Sequence, residues 1–70
     1  MVQSELAATL MSDDPGAGLR AVGALHRLAE QVEARSVHLA RERGWSWGQI
    51  GRALGVSRQS VHAKYAERER

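Results

Sequence analysis

The segment WSWGQIGRALGVSRQSVHAKY, residues 45–65, decides how this chain folds. Its apolar residues fall at helical spacing on both sides of Gly55. Four residues before Gly55, Gly51 has no side chain and so leaves room for a neighbouring helix. Such a pattern is typical of two short helices that cross at close range about a turn of three or four residues. No acidic residue lies between Arg43 and Lys64, so the segment is neutral or basic throughout.

Each of the two predicted helices carries its own start signal. Ser46 is followed three residues later by Gln49, the spacing of a capping box in which the two residues satisfy each other's free amides. Ser57 is a second N-cap, and Gly55 before it suits the left-handed conformation that often ends a helix. The caps therefore predict two separate helices rather than one continuous helix.

The size and composition of the chain favour a dimer. Seventy residues form one small domain, which buries only about 60% of the surface that its unfolded chain exposes. There is no cysteine to supply a disulfide or a thiolate zinc site. Oligomerisation is the remaining usual source of stability, so we expect a homodimer. Without a signal peptide or an apolar run of membrane-spanning length, we expect a cytoplasmic, nucleoid-associated protein with no membrane partner.

The charge is distributed unevenly along the chain. The net charge is only +2, and nine of the ten basic residues are arginine. Residues 1–40 carry three arginines against five acids, a balance of −2, whereas residues 41–70 carry seven basic residues against three acids, a balance of +4. The positive charge lies in the half that holds the two short helices, as expected of a surface that binds a nucleic acid duplex.

The rest of the chain is also predicted to be helical, which makes the fold all-α. Residues 4–11 form a short candidate helix. Asp14 before Pro15 then predicts the start of a long helix, which runs to about Arg43 and ends at Gly44. Roughly 28 residues correspond to about 42 Å. We expect one domain with two parts: helices for dimerisation and core formation in 1–43, and a binding unit in 44–70.

The long helix is longer than it needs to be to cover the two short helices. Its apolar residues recur at steps of three and four. We expect the surplus to pair with the same helix of a second subunit. The expected dimer interface consists of Leu19, Val22, Leu25, Leu28, Ala29, Val32 and Leu39. Ser36 and Arg43 occupy the same heptad positions as these apolar residues. Because a long coiled coil needs apolar residues there, a compact dimer with interlocked helices is favoured. The alternative is one amphipathic helix that packs within its own chain, and the orientation of the two chains is left open.

The C-terminal pattern resembles the helix-turn-helix of small, actinobacterial-type DNA-binding transcription regulators, over about a third of the chain. The resemblance rests on Ile50, Gly51, Leu54, Gly55, Val56, Ser57 and Val61. It implies that a recognition helix over residues 57–68 enters the major groove of DNA. The sequence departs from the family at Lys64, where an aliphatic residue is common, and Tyr65 is expected to supply the packing instead.

The resemblance also implies roles for individual residues. Arg58 and Gln59 are expected to contact bases, together with His62 one turn further on. Arg52 and Lys64 are expected to hold the DNA backbone, and the start of the first short helix to contact phosphate. The serines of the second helix are expected to reach a base or a phosphate. The expected DNA-contacting residues are Ser46, Trp47, Arg52, Ser57, Arg58, Gln59, Ser60, His62 and Lys64.

Several of these residues have a purely structural alternative. Ser57 caps its helix whether or not it also contacts DNA. His62 has the alternative of an ordinary exposed histidine, and Arg52 that of an ion pair with an acid of the long helix. Trp45 is expected in the core, packed against the first short helix, whereas the burial of Trp47 is left open because two tryptophans so close in sequence are rarely buried equally.

Other chemistry finds little support in the sequence. Two histidines lie four residues before a glutamate, His26 before Glu30 and His38 before Glu42, but no third ligand accompanies either pair. No catalytic triad, phosphate-binding glycine loop or carboxylate pair is recognisable. We expect no metal, no cofactor and no enzymatic activity.

The sequence therefore favours a dimeric, sequence-specific DNA-binding regulator, with repression as the default and activation or a nucleoid-type accessory role equally compatible. The alternative is an interaction adaptor whose helices dock a sigma factor, an RNA polymerase subunit or another regulator. RNA binding is a weaker third hypothesis, because the basic half offers no aromatic stacking platform.

Overall fold

The computed structural model describes residues 13–69, and the regular elements in that range are three α-helices. Helix α1 spans Pro15–Glu42, α2 spans Trp47–Leu54 and α3 spans Arg58–Tyr65. Since these described residues form no strand, the prediction of an all-α chain is confirmed. The short helix predicted at residues 4–11 lies outside the described range.

The chain divides into two compact units, Met1–Gln31 and Val32–Arg70, and the division falls within α1. The described part of the first unit contains the start of α1, where the Asp14 side chain accepts a hydrogen bond from the Gly16 amide at 3.0 Å. The Asp14 carbonyl accepts from Gly18 at 3.1 Å. Pro15 is the first helical residue, so the predicted start signal and the predicted length of 28 residues are both confirmed.

In the second unit, α1 ends in a reversal at Gly44, whose φ of +83° requires the left-handed conformation. The Gly44 amide donates to the Arg41 carbonyl at 3.0 Å, and the Trp45 amide donates to the Ala40 carbonyl at 2.9 Å. These two bonds form a Schellman motif, which satisfies carbonyl groups that the helix itself leaves free. The predicted C-terminal glycine of the long helix is confirmed.

Helix α2 ends in the same way at Gly55, with a φ of +78°. The Gly55 amide donates to the Arg52 carbonyl at 3.3 Å, and the Val56 amide donates to the Gly51 carbonyl at 2.9 Å. In both connections the left-handed glycine is followed by one apolar residue and then by a serine. The sequences GWS and GVS therefore end one helix and start the next in the same way, across connections of four and three residues.

The serine of each connection caps the helix that follows. Ser46 Oγ accepts from the Gln49 amide at 3.1 Å, and Gln49 Oε1 accepts from the Ser46 amide at 2.8 Å, which completes the predicted capping box. Ser57 Oγ accepts from the Ser60 amide at 3.0 Å. Both predicted caps are confirmed, and each stabilises its helix by about 1 kcal/mol.

The core of the second unit combines all three helices, with α1 contributing its last turns. Its fully buried side chains are Val37, Ile50, Val61 and Tyr65. Tyr65 supplies the packing beside Lys64, as predicted from the departure at that position.

The expectation that Trp45 belongs to the core is wrong. Trp45 is 42% exposed, whereas Trp47 is partly buried and packs against the core. The reason is tertiary, because Arg41 of α1 and His62 of α3 both contact the Trp47 ring. Trp45 lies outside α2, before the N-cap.

Helix α3 is shorter than the predicted range of 57–68. It ends at Tyr65, and residues 66–69 continue as turns in which the Ala66 amide donates to the His62 carbonyl at 2.9 Å. After Ala66 the chain carries only charged residues, so no apolar side chain remains to attach a further turn to the core.

Of the glycines in the second unit, Gly51 is the one where an added side chain would meet backbone atoms. A Cβ atom there would be 2.9 Å from the Val56 carbonyl oxygen, 3.1 Å from the Ser57 carbonyl oxygen and 3.2 Å from the Arg58 nitrogen. All three are backbone atoms at the turn and the start of α3, so none can yield without displacing that helix. The predicted role of Gly51 in close packing agrees with this geometry.

The pair Gly51→Ala and Gly48→Ala tests this constraint with the same substitution in the same helix. We expect Gly51→Ala to lower the free energy of unfolding by about 1–3 kcal/mol, because the added methyl group meets fixed backbone. Gly48 has only Ser46 Oγ at 3.8 Å, so Gly48→Ala is expected to be neutral or stabilising by up to about 1 kcal/mol. Urea denaturation followed by circular dichroism measures both, and equal effects would contradict the interpretation.

Candidate nucleic-acid interface

The side chains of Arg58, Gln59 and His62 in α3 are all exposed. The first turn of α3 contains no acidic residue. Within residues 13–69, Arg58 forms no ion pair. These side chains are therefore held on a short, capped helix with their hydrogen-bonding groups available to another molecule.

Two hydroxyl groups lie at the start of the same helix. Ser57 Oγ and Ser60 Oγ are 2.8 Å apart and share a hydrogen bond, in addition to the bond from the Ser60 amide to Ser57 Oγ. Both serines are exposed. The structural role of Ser57 as a cap is therefore fulfilled, and the hydroxyl pair remains accessible beside Arg58.

Arg52 projects from α2 and is also exposed. The alternative role considered for it, an ion pair with an acid of α1, is not formed within the described part of the chain. Its guanidinium is thus a second accessible cation, in addition to that of Arg58.

Lys64 has a different environment, because it is bound to α1. Its Nζ donates to Glu33 Oε2 at 2.7 Å, and the Tyr65 hydroxyl donates to the same oxygen at 2.5 Å. The Lys64 ammonium, followed by the Tyr65 hydroxyl, holds the pKa of Glu33 below its ordinary value. Lys64 can contact a phosphate only by exchanging this carboxylate for it.

Glu33 was missed by sequence reasoning. It lies 31 residues from Lys64, and nothing in the local pattern of either residue indicates the pairing. The signal available in the sequence is indirect: a lysine at a position that is commonly aliphatic requires a partner for its charge, and an acid of the long helix is the nearest source.

Trp47 lies between two charged or titratable groups. The Arg41 guanidinium stacks over its ring at 4.5 Å from the ring centre, and the His62 ring meets it edge-on at 5.5 Å with an interplanar angle of 84°. Arg41 also donates to the Trp45 carbonyl at 2.7 Å. His62 therefore packs on α2 while remaining exposed, and Arg41 is a second residue whose role the sequence did not indicate.

One of the two histidine–glutamate spacings, that of His38 and Glu42, forms a contact on the surface. His38 Nε2 lies 3.5 Å from Glu42 Oε1, and His38 Nδ1 lies 3.0 Å from Glu69 Oε1. Among residues 13–69 no group of three or more His, Asp or Glu side chains is arranged to hold a metal ion.

The residues expected at a dimer interface are mostly accessible in the single chain. In the first unit, Leu19 is 72% exposed, Val22 41% and Leu28 55%, whereas Leu25 is partly buried and Ala29 is exposed. In the second unit, Val32 is 55% exposed and Leu39 is partly buried. These apolar side chains are therefore accessible to another surface in the single chain.

No helix within the described range has the length and apolar character that crossing a membrane requires. Comparison of the chain with protein-family models, with curated proteins and with solved structures finds no match. The function therefore has to be inferred from the residues and their geometry.

The variant Glu33→Gln tests the contact between α1 and α3. We expect the free energy of unfolding at neutral pH to fall by about 1–3 kcal/mol, because two hydrogen bonds to a charged acceptor become weaker. Glu67→Gln is the matched control, since Glu67 is exposed and lacks such partners in the described residues.

The same variant has an expected pH dependence. The folded-state pKa of Glu33 is lowered from its ordinary value of 4.5, so its stabilising contribution is complete above that value and is lost as the pH falls through the lower, folded-state pKa. The difference in unfolding free energy between the parent protein and Glu33→Gln should therefore shrink in acid. Thermal melts from pH 7 to pH 3 measure it, and a difference that is independent of pH would show that the charge is unimportant.

Proposed function

We propose that α2, its turn and α3 act as a helix-turn-helix, and that the chain is a homodimeric, sequence-specific DNA-binding transcription regulator. The observation that carries the proposal is the set of exposed polar side chains on α3, Arg58, Gln59 and His62, on a helix whose other side is anchored in the core. Among residues 13–69 the side chains of Arg58 and Gln59 form no hydrogen bond or ion pair, so both are available to another molecule, and His62 stays exposed beside them although it contacts Trp47.

The electrostatics support a polyanionic partner. Residues 41–70 carry a balance of +4, and Arg52 and Arg58 are exposed without an acidic partner among residues 13–69. When such cations bind phosphate groups, they displace the counterions condensed there. The release of counterions favours binding and makes the affinity depend on salt concentration. The first turn of α2 adds backbone amides, which suit a phosphate oxygen.

The chemistry of α3 supports reading of bases rather than charge attraction alone. An arginine can donate two hydrogen bonds to guanine, and a glutamine can pair with adenine through its amide. Arg58 and Gln59 occupy the first turn of α3, the part of a recognition helix that approaches base edges in the major groove. Ser57 and Ser60 lie at the same end, where their hydroxyls can reach a base or a phosphate.

A homodimer would bind two half-sites related by two-fold symmetry and spaced about 34 Å apart, one helical turn of DNA. Occupation of a promoter is the default mode of action and makes repression the first expectation. Activation and a nucleoid-type accessory role use the same contacts and differ in the sites that are bound.

One observation favours a second function. Trp45, Leu54 and Val56 are 42%, 39% and 47% exposed beside the basic helices. An adaptor that docks a sigma factor, an RNA polymerase subunit or another regulator would use such apolar surface. In that case substitutions on α3 would leave the activity unchanged.

Selection from a randomised pool of DNA duplexes, performed with the full chain at two salt concentrations, tests the proposed function. Enrichment of a palindromic site with binding that weakens steeply with salt supports the regulator. Salt-dependent binding without an enriched sequence points to the nucleoid-type role. Absence of binding at low salt would contradict the proposal and favour the adaptor.

Substitution of the two proposed base readers gives a sharper prediction. We expect Arg58→Ala and Gln59→Ala each to weaken binding to the selected site by about 5- to 150-fold and to relax the sequence preference at one base pair. Fluorescence anisotropy with the selected duplex and with single-base variants measures both effects.

Two further variants complete the comparison. Arg52→Ala is expected to weaken binding equally on all sequences and to reduce the dependence on salt by about one phosphate contact. Arg35→Ala removes the same charge from an exposed position on α1 and serves as the control with little expected effect. If Arg35→Ala matched Arg58→Ala, binding would depend on total charge and not on α3.

A further inference from the structure

The second unit contains an open groove between the end of α1 and α2. Its volume is about 320 Å³, and its lining is predominantly apolar. The apolar side chains that define it are Val37, Leu39, Ala40, Trp45, Ile50 and Leu54. We call this feature the α1–α2 groove. Two of its residues, Trp45 and Leu54, are more than a third exposed although they are large and apolar.

The core beneath the groove is small for a unit that has to fold. Four side chains are fully buried in a unit that spans residues 32–70. Units of about 40 residues usually need a disulfide, a metal or another chain for stability. The chain has no cysteine, and its described residues offer no group that could hold a metal ion. The usual remaining source of stability is a second protein surface that covers the groove.

The first unit presents a surface of matching character. Val22, Leu25 and Leu28 follow one another at intervals of three along α1, which places them along one side of the helix. Val22 and Leu28 are 41% and 55% exposed. We call these three residues the α1 stripe. A stripe of branched side chains is the shape that fits an apolar groove beside a helix.

The distribution of charge along the chain favours one relative orientation of two associated copies. Residues 1–40 have a balance of −2 and residues 41–70 a balance of +4. Parallel copies would bring the basic halves together and the acidic halves together. Of the described residues, 13–31 carry three acids against two arginines, and 41–69 carry six basic residues against three acids. Antiparallel copies would therefore bring opposite net charges together, which favours association. The groove lining itself contains both an acid, Glu33, and a cation, Arg43, so the preference for one orientation comes from the two ends of the chain and not from the groove.

We propose that two copies of this chain associate reciprocally, with the α1 stripe of each copy filling the α1–α2 groove of the other and the two α1 helices antiparallel. The arrangement has two-fold symmetry, so both grooves are covered by two identical contacts and no further copy can add. It gives an orientation to the homodimer on which the proposed function rests, but it does not depend on DNA binding.

Cross-linking tests the orientation directly, because the chain has no native cysteine. Leu28→Cys places a thiol in the stripe and Leu39→Cys places one in the groove. The two variants, one carrying an affinity tag, are unfolded together, refolded and treated with a short bismaleimide. The proposal expects mixed cross-linked dimers well in excess of either homodimer. Predominance of the two homodimers would establish parallel pairing and overturn it.

Sedimentation equilibrium tests the stripe without cross-linking. Leu28→Lys is expected to raise the dimer dissociation constant at least about tenfold, because it buries a charge in an apolar groove. Gln31→Lys is the matched control: Gln31 is exposed on the same helix, lies outside the α1 stripe and is about 120° around the helix from Leu25. Equal effects of the two variants, or a parent protein that is monomeric at micromolar concentration, would overturn the proposal.

These outcomes are distinguishable from failure of the proposed function. A protein that gives the mixed cross-link but selects no duplex would retain the pairing and lose the DNA-binding role. A monomer that still selects a single half-site would retain the role of α3 and lose the pairing. Unfolding midpoints of Leu28→Lys and Gln31→Lys, measured at a concentration where the parent dissociates, show whether either variant harms the single chain.

Discussion

The approach of the α2 backbone to the turn at Gly51 determines where α3 can lie. The missing side chain brings the carbonyl oxygens of Val56 and Ser57 to distances that a Cβ atom would not allow. Because those atoms belong to the backbone that starts α3, the contact fixes the position of the helix and not just of one side chain. Together with the burial of Val61 and Tyr65, this close contact between main chains leaves Arg58 and Gln59 on the exposed side of α3.

Much of the second unit could be predicted because its information is local. Gly44, Ser46, Gly55 and Ser57 act on amides and carbonyls within a few residues, so the sequence alone was enough to place them. What could not be predicted involves partners that are distant along the chain. Trp47 is covered by Arg41 and His62 from two other helices, and this contact decides the burial of Trp47, which the sequence had left open.

The candidate site shows the same division. Arg58 and Gln59 belong to no series of apolar residues at helical spacing, so their exposure could be predicted from the sequence. The pairing of Lys64 with Glu33 could not be predicted in this way, since it depends on how α3 lies against α1. The residue type at position 64 indicated a nonstandard environment without identifying its partner. One lysine is thereby required for a structural contact at the place where a binding role was expected, so the two roles compete for the same ammonium group.

The repeated connections GWS and GVS have a consequence for the order in which the second unit forms. Each closes hydrogen bonds between residues three to five apart, and loops of that length close in nanoseconds. The bonds from Tyr65 and Lys64 to Glu33 join residues 32 and 31 positions apart, which requires a much larger loss of chain entropy. We therefore expect the two connections to form early, and the docking of α3 on α1 to be the late step that limits the folding rate.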